Sequence, residues 1–324
     1  MGPLSSFLLH QVILSEVWSP TLRFTLAKQY FLSSKNSAID MPALTQTQSE
    51  LQTIIEGLVN HAYDKAKRWA GLVILLQSIL FLAGVAAIIL PSFTLSYPWI
   101  ALPLALVGAW MSGQAAKFKG MAEQAKRQHE YLAGFGMTPS RGILADLRVS
   151  LARELPEEAD RLLCQGITYS SGKPPGAARV LENLCESGWF TKHLANWCAC
   201  SLRALFLITV TIAISLLLLS ATSLSGASVG IVAARFVAAT LTFLISIGTI
   251  RFWLAYAALS KKAGDIDAEA SRLLEAGKLD AFEAQRLLAE YQLTRASAPF
   301  VPTWVWRLRR DILNKHWELK RPQG

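Results

Sequence analysis

The chain has 324 residues, 52% of them apolar and 17% charged, with a mean hydropathy of +0.32 and a net charge of +9. Soluble domains carry about 25% charged residues, so the deficit argues against a soluble domain and for roughly a quarter to a third of the length in lipid. The basic balance does not imply DNA or RNA, because the cations sit beside apolar runs rather than along one polar surface.

Residues 1–47 read as an N-terminal extension that is poorly ordered. The apolar run at 7–14 is broken by His10 and Gln11, and it lacks the basic start and cleavage site of a signal peptide. Met41 offers a second start. An amphipathic membrane-surface segment is the other reading of this stretch.

Residues 48–116 form a first amphipathic helix and hairpin. Leu51, Ile54, Ile55, Leu58 and Ala62 recur with helical period. This helix runs into a span at about 70–90, and Pro91 ends it. Tyr97 and Trp99 mark the far interface, and a second span follows at about 99–116. Residues 117–200 are a helical insert. The polar helix 117–132 is broken at Gly134-Phe-Gly136, and Thr138-Pro139 opens the next helix. Another begins at Pro156, and a loop at 166–176 precedes a helix at 179–197.

A second hairpin occupies 201–258, with spans at about 204–221 and 229–256. The latter reads as one continuous helix, with Arg235 and Arg251 sixteen residues apart, roughly 24 Å. Each can snorkel to an opposite interface. Residues 259–324 are a helical tail. Gly277 divides it, and Asp280 with Glu283 resembles a capping box. Phe282, Leu287 (or Leu288) and Tyr291 share an apolar face. Pro299 and Pro302 fix a turn before a basic, Trp-bearing helix at 305–318. Its tryptophans suit either a headgroup boundary or a docking surface on the inner helices.

The fold class is therefore an all-α integral membrane protein: two transmembrane hairpins, four spans, a helical cytoplasmic insert and a helical tail. Lys65, Lys67 and Arg68, then Lys117, Lys119, Lys126 and Arg127, then Lys192 and Arg203, then Arg251, Lys261 and Lys262 flank the spans on one side. The turns 91–98 and 220–228 carry no charge. That is the positive-inside pattern, with both termini and the insert in the cytoplasm; the resemblance given below implies a bacterial inner membrane.

Small residues at four-residue spacing, Gly84, Gly108 with Ser112, and Gly230 with Ala234 and Ala238, suit close helix packing in lipid. Hydroxyls at Thr209, Thr211, Ser215, Thr240, Thr242 and Ser246 allow two readings: simple packing of a four-helix bundle, or a self-associating bundle with a wet face. No Asp, Glu, Lys or His lies deep in a span, which argues against a coupled transporter.

Catalytic patterns fail. Gly172-Lys173 is followed by Pro174 and lacks the glycine spacing of a phosphate loop. Cys198 and Cys200 point to different helix faces, so with Cys185 and His193 they make a poor metal set. Lipidation of these thiols is an alternative. The acids Glu154, Glu157, Glu158 and Asp160 read as a solvated helix start. No enzyme activity, cofactor or metal is expected.

Two stretches carry a resemblance: Tyr63-Asp-Lys-Ala-Lys67 before the first span, and Tyr291-Gln-Leu-Thr-Arg295-Ala-Ser-Ala-Pro299-Phe-Val-Pro302-Thr-Trp304, followed by Trp306. In these and in its layout the chain resembles the SMODS-associated four-transmembrane effectors of bacterial cyclic-oligonucleotide anti-phage systems. The insert departs from that pattern at Cys164-Gln-Gly166. The resemblance implies a non-enzymatic membrane effector that binds a cyclic oligonucleotide messenger or an infection-sensing partner and oligomerises in membrane lipid. Arg141, Arg148, Lys173, Arg179, Lys192 and Arg295 are the candidate contacts for such an anionic ligand. A membrane scaffold for cytoplasmic partners is the competing class.

Overall fold

The computed structural model describes residues 42–94, 96–152, 171–222, 227–277 and 279–320. The chain divides into two units, Met1–Thr47 and Gln48–Gly324. In the first, residues 42–47 are helical. The spans, the packed core and the candidate site lie in the second. Most of the N-terminal extension, the helix expected at Pro156, the acids Glu154 to Asp160 and Cys164 fall outside the described residues.

All regular structure among the described residues is helical: α1 (Pro42–Ile89), α2 (Pro91–Thr94), α3 (Tyr97–Phe135), α4 (Arg141–Ala152), α5 (Ala177–Thr222), α6 (Ala227–Ile247), α7 (Thr249–Glu275), α8 (Ala281–Ser297) and α9 (Thr303–Lys320). Four stretches are long and apolar enough to cross a membrane: Leu51–Ile89, Tyr97–Phe135, Ala177–Leu219 and Gly230–Glu275. At 39 to 46 residues each, they run to about twice the 20 or so that a bilayer core needs. The excess is polar and projects beyond the membrane. In the apolar parts the large side chains face outward, with Leu82, Leu106, Leu219 and Ile245 each more than 60% exposed. In lipid that face needs no cover.

The polar half packs as three clusters. Val180, Leu181, Leu184 and Cys185 of α5 meet Ile266, Ala270 and Leu273 of α7 and Leu287, Leu288 and Tyr291 of α8. Farther along α5, Leu194, Ala195 and Cys198 meet Tyr256 and Leu259 of α7 and Val305 and Leu313 of α9. Ile55, Leu58, Val59 and Ala62 of α1 meet Ala122, Ala125 and Leu132 of α3 and Leu147 of α4. The apolar period expected from Leu51 to Ala62 is the face that packs.

Several boundaries differ from expectation. The fourth span is not one helix: Gly248 stands at φ 78° between α6 and α7. Its N–H donates to the Ile245 carbonyl at 2.9 Å, and Phe252 N–H donates to the Gly248 carbonyl at 2.8 Å. A left-handed residue turns the chain there, and glycine takes that conformation without a Cβ clash. The interval from Arg235 to Arg251 is therefore not a straight rod. Helix α3 starts at Tyr97, with Pro98 in its first turn and Pro103 inside it; proline is pre-organised for a first turn. It also runs through Gly134 and ends at Gly136. Helix α4 begins at Arg141, where Ser140 Oγ accepts from Ile143 N–H at 3.3 Å. In α8, Asp280 caps by accepting from Phe282 N–H at 3.2 Å. Glu283 instead pairs with Arg286 at 2.9 Å. Phe282 is 68% exposed and leaves the apolar face to Leu287, Leu288 and Tyr291.

The longest interface joins α5 and α7, and small residues set its spacing. A Cβ on Gly188 would lie 3.0 Å from the Ala263 carbonyl oxygen and 3.3 Å from Asp267 Cβ. Gly188→Leu forces the two backbones apart, an overpacking of about 1–3 kcal/mol. Thermal unfolding in detergent checks it: Gly188→Leu melts clearly below wild type, whereas Gly172→Ala, at an exposed glycine with open space around it, does not.

Candidate functional site

Helix α3 carries Lys119, Glu123, Lys126 and Glu130 at spacings of four, three and four residues. That spacing puts alternating charges on one face of the helix. The face is covered by the end of α8 and the turn after it, so buried charges must find partners there.

Arg295 of α8 supplies the main one. Its Nε donates to Glu123 Oε2 at 3.1 Å, and Nη1 and Nη2 fork onto the two oxygens of Glu130 at 2.5 and 3.3 Å. Gln292 Nε2 donates to Glu130 Oε2 at 2.9 Å. From α1, Tyr63 OH donates to Glu123 Oε1 at 2.5 Å. Lys119 Nζ donates to the carbonyls of Ala296 (2.9 Å) and Ala298, satisfying the end of α8. Tyr291 lies under the Arg295 guanidinium, 5.3 Å from ring centre to Cζ, and bonds Thr191 Oγ1 at 2.8 Å. Three stretches far apart in sequence, around 63, 123–130 and 291–298, thus share one polar cluster. The side chains of Glu123, Glu130 and Arg295 are 6%, 5% and 11% exposed.

The electrostatics follow from burial and pairing. Burial opposes ionisation of Glu130, but Arg295 and Lys126 with the hydrogen bonds from Arg295 and Gln292 prevail and hold it below the usual carboxylate range. Burial likewise works against the Arg295 cation, yet Glu130 and Glu123 hold it well above its ordinary value. Burial, aided by Glu123, pushes the Tyr63 phenol up. Lys126 is pushed down to about 8, first by burial and then by Arg295.

The two stretches that carry the family resemblance meet here. Tyr63 reaches Glu123 and packs edge-on against Phe300, centroids 6.0 Å apart. Lys67 Nζ donates to Thr303 Oγ1 at 3.2 Å. Tyr256 OH donates to the Phe300 carbonyl. The Pro299–Pro302 turn is therefore held from three helices.

Four of the six basic candidates have described side chains, and each stands in its own setting. Arg295 already holds two carboxylates. Lys173 pairs with Glu182 at 2.6 Å beside the start of α5. Arg179 lies in the first turn of α5 with Nε buried. Lys192 is exposed and lies along Gly264 of α7, roughly 20 Å beyond Arg179 along the same helix. Arg141 and Arg148 belong to α4, and their side chains fall outside the described residues. Beside the cluster, Glu130, Asn183, Ser187 and Tyr291 line a cavity of about 10 Å³, room for about one water and not for a nucleotide. Asn183 Oδ1 is buried there without a protein partner among the described residues.

Of the small span residues, Gly84 takes the Tyr97 ring and Gly108 takes Leu76. Ser112, Ala234 and Ala238 face outward, and Gly230 is half-buried. Among the described residues no three His, Cys, Asp or Glu side chains gather as metal ligands. Cys185 and Cys198 are buried and Cys200 is exposed; burial pushes the Cys198 thiol up to about 11.

Sequence reading missed Glu123, Glu130, Lys126, Gln292 and Tyr63 as partners of Arg295. The signal was present: alternating charges at three- and four-residue spacing place one charged stripe on a helix whose other positions, Ala122, Ala125 and Leu132, are core.

Fold and site together define an all-α, multi-pass membrane protein whose tail is joined to two helices that continue as spans. No protein-family model, no curated protein and no solved structure matches the chain.

Arg295→Met leaves two buried carboxylates without their guanidinium and costs about 3–5 kcal/mol. Lys126→Met removes a cation that burial disfavours and costs much less. Equilibrium unfolding of the two variants ranks them; equal losses would refute the assignment. The pH dependence has a defined sign. Lys126 titrates near 8 in the fold against 10.5 ordinarily, so between these values the unfolded chain holds the proton and the fold does not. Stability from this group then rises with pH, from 8 until the unfolded Cys198 thiol, near 9, and then the phenols, near 10, ionise and oppose it. Melting curves from pH 8 up to the thiol range near 9 show a steeper rise in wild type than in Lys126→Met, where Lys119 and Lys65, also lowered by burial, still contribute.

Proposed function

We propose that this chain is a membrane effector that answers an infection signal, a cyclic oligonucleotide or an infection-sensing partner, and disrupts the inner membrane by oligomerising. Both termini and the polar half lie in the cytoplasm on this reading, as the basic residues beside Lys67, Lys117, Arg203 and Lys261 favour. Membrane lipid and further copies of the chain are its partners; DNA and RNA are not.

The observation that carries it is the cluster around Arg295. It fastens the tail onto α1 and α3, and both helices run unbroken into spans. A signal that shifts α8 acts directly on two membrane helices. Outward-facing Ala234 and Ala238 in α6 and Ser112 in α3 leave surfaces on which spans of neighbouring copies pack closely. A two-state element biased by differential affinity is what a ligand-driven change requires.

A scaffold for cytoplasmic partners is the second reading. Leu279, Phe282 and Leu293, 50%, 68% and 47% exposed on or beside α8, favour it as an apolar docking surface.

Dye release from liposomes carrying the purified chain separates the two. The effector releases dye only on addition of its cyclic oligonucleotide or partner. Glu130→Gln, which weakens the Arg295 fork, releases dye without a signal. Tight liposomes with every messenger tested, and with Glu130→Gln, favour the scaffold.

A further inference from the structure

Helix α9 spends half of its circumference on the rest of the chain. Val305 and Leu313 are buried, and Trp306 and Trp317 pack on Phe190 of α5 at 5.8 and 6.0 Å. The flank beside that side carries Trp304, Leu308 and Ile312 at four-residue spacing, 55%, 64% and 48% exposed. Leu319, 85% exposed, continues the row. A helix facing only water does not keep such a row.

The height of α9 is set by its neighbours. Thr303 accepts from Lys67. Lys67 stands five residues before Leu72, where span one turns apolar side chains outward, about 7 Å along the helix. A headgroup layer is about that thick. Trp304 packs on Trp197 at 5.3 Å, while Trp317 packs on Trp189 at 5.6 Å. From Trp304 to Trp317 α9 advances roughly 20 Å, while α5 retreats roughly 12 Å from the span. Helix α9 therefore slants away from the membrane, and its first turns are the nearest to lipid. Arg307 and Arg310 are exposed in those turns. Exposed tryptophan and aliphatic groups beside arginine suit the boundary of an anionic leaflet.

The geometry points to a lipid-binding surface: Trp304, Leu308 and Ile312, with Arg307 and Arg310, lie in the headgroup layer on the polar half's side and take anionic phospholipid. Leu319 lies beyond reach of it. The contact holds whatever signal the protein receives.

The test uses the full-length chain in nanodiscs, with a benzophenone amino acid replacing Leu308 or, separately, Leu319. Irradiation yields a lipid adduct at 308 and none at 319. The yield at 308 is several-fold higher in phosphatidylglycerol than in phosphatidylcholine, and Arg307→Glu with Arg310→Glu removes the difference. Adducts of two chains at both positions overturn the proposal in favour of a second copy. Absence of any lipid adduct at 308 overturns it outright. As a check independent of the photoprobe, brominated phospholipid quenches wild-type tryptophan fluorescence more than that of Trp304→Phe; equal quenching also counts against it.

Discussion

Two carboxylates on one face of α3, buried under the tail, fix how the tail sits on the helices of the first hairpin. Glu123 and Glu130 cannot be left in a dry contact without cations. One guanidinium meets both because its donors fan out in a fixed plane. Apolar packing between α3 and α8 would tolerate sliding, since it is nearly non-directional. A fork onto Glu130 with a separate bond to Glu123 does not. The cluster therefore sets the register of the tail against α3, and Tyr63 extends that register to α1. Both helices continue into lipid, so the setting is passed to the first hairpin.

The same helices obey different rules at their two ends. In the polar half of α5, Ala195 and Ala199 face inward and Gly188 lets α7 approach at backbone distance. Large side chains there, such as Trp189, are turned into the core. Past Arg203 the order inverts: Leu205, Ile208, Ile212 and Leu219 face outward. Water drives the first arrangement by hiding apolar surface. Lipid gives no such drive, so association there rests on close contacts such as Gly84 on Tyr97 and Phe81 stacked on Phe243. The second hairpin has its own adjustment at Gly248, where a left-handed residue joins α6 to α7.

How much of this was legible depends on how local each cause is. Spans can be read because lipid demands a long uncharged run from one stretch of chain. The cap at Asp280 and the break at Gly277 are local in the same way. Gly248 was invisible, because glycine is common inside membrane helices and only backbone geometry tells a hinge from a packing site. Arg295 is the instructive case. It was expected among the contacts of an anionic ligand, and its guanidinium holds two carboxylates. The anions are side chains of this chain, 165 and 172 positions away, and nothing near 295 names them. Phe282 was assigned to a buried face by period alone, but it sits in the first turn of α8, ahead of the residues that meet α5. Charge is cheap on a solvated surface, so the presence of Lys173 and Lys192 there says little about a shared pocket.

An anionic signal acting on this arrangement meets a constraint that follows from charge balance. To take Arg295 it must strip that guanidinium from Glu123 and Glu130, and those carboxylates then stand buried with Lys119 and Lys126 as their remaining cations. Loss of such a pair is worth about 3–5 kcal/mol, a factor of roughly 10²–10⁴ in affinity. A ligand entering at Arg295 would surrender that factor, whereas one that engages cations elsewhere would not. Under the proposed function, entry would therefore be cheaper at exposed cations such as Lys173 or Lys192, and the cluster would answer as a second step if helices α5 and α8 shift. Tyr291 is placed for that role: it bonds Thr191 of α5 on one side and lies beneath Arg295 on the other. A displacement of α5 is thereby felt at the guanidinium without the ligand ever reaching it.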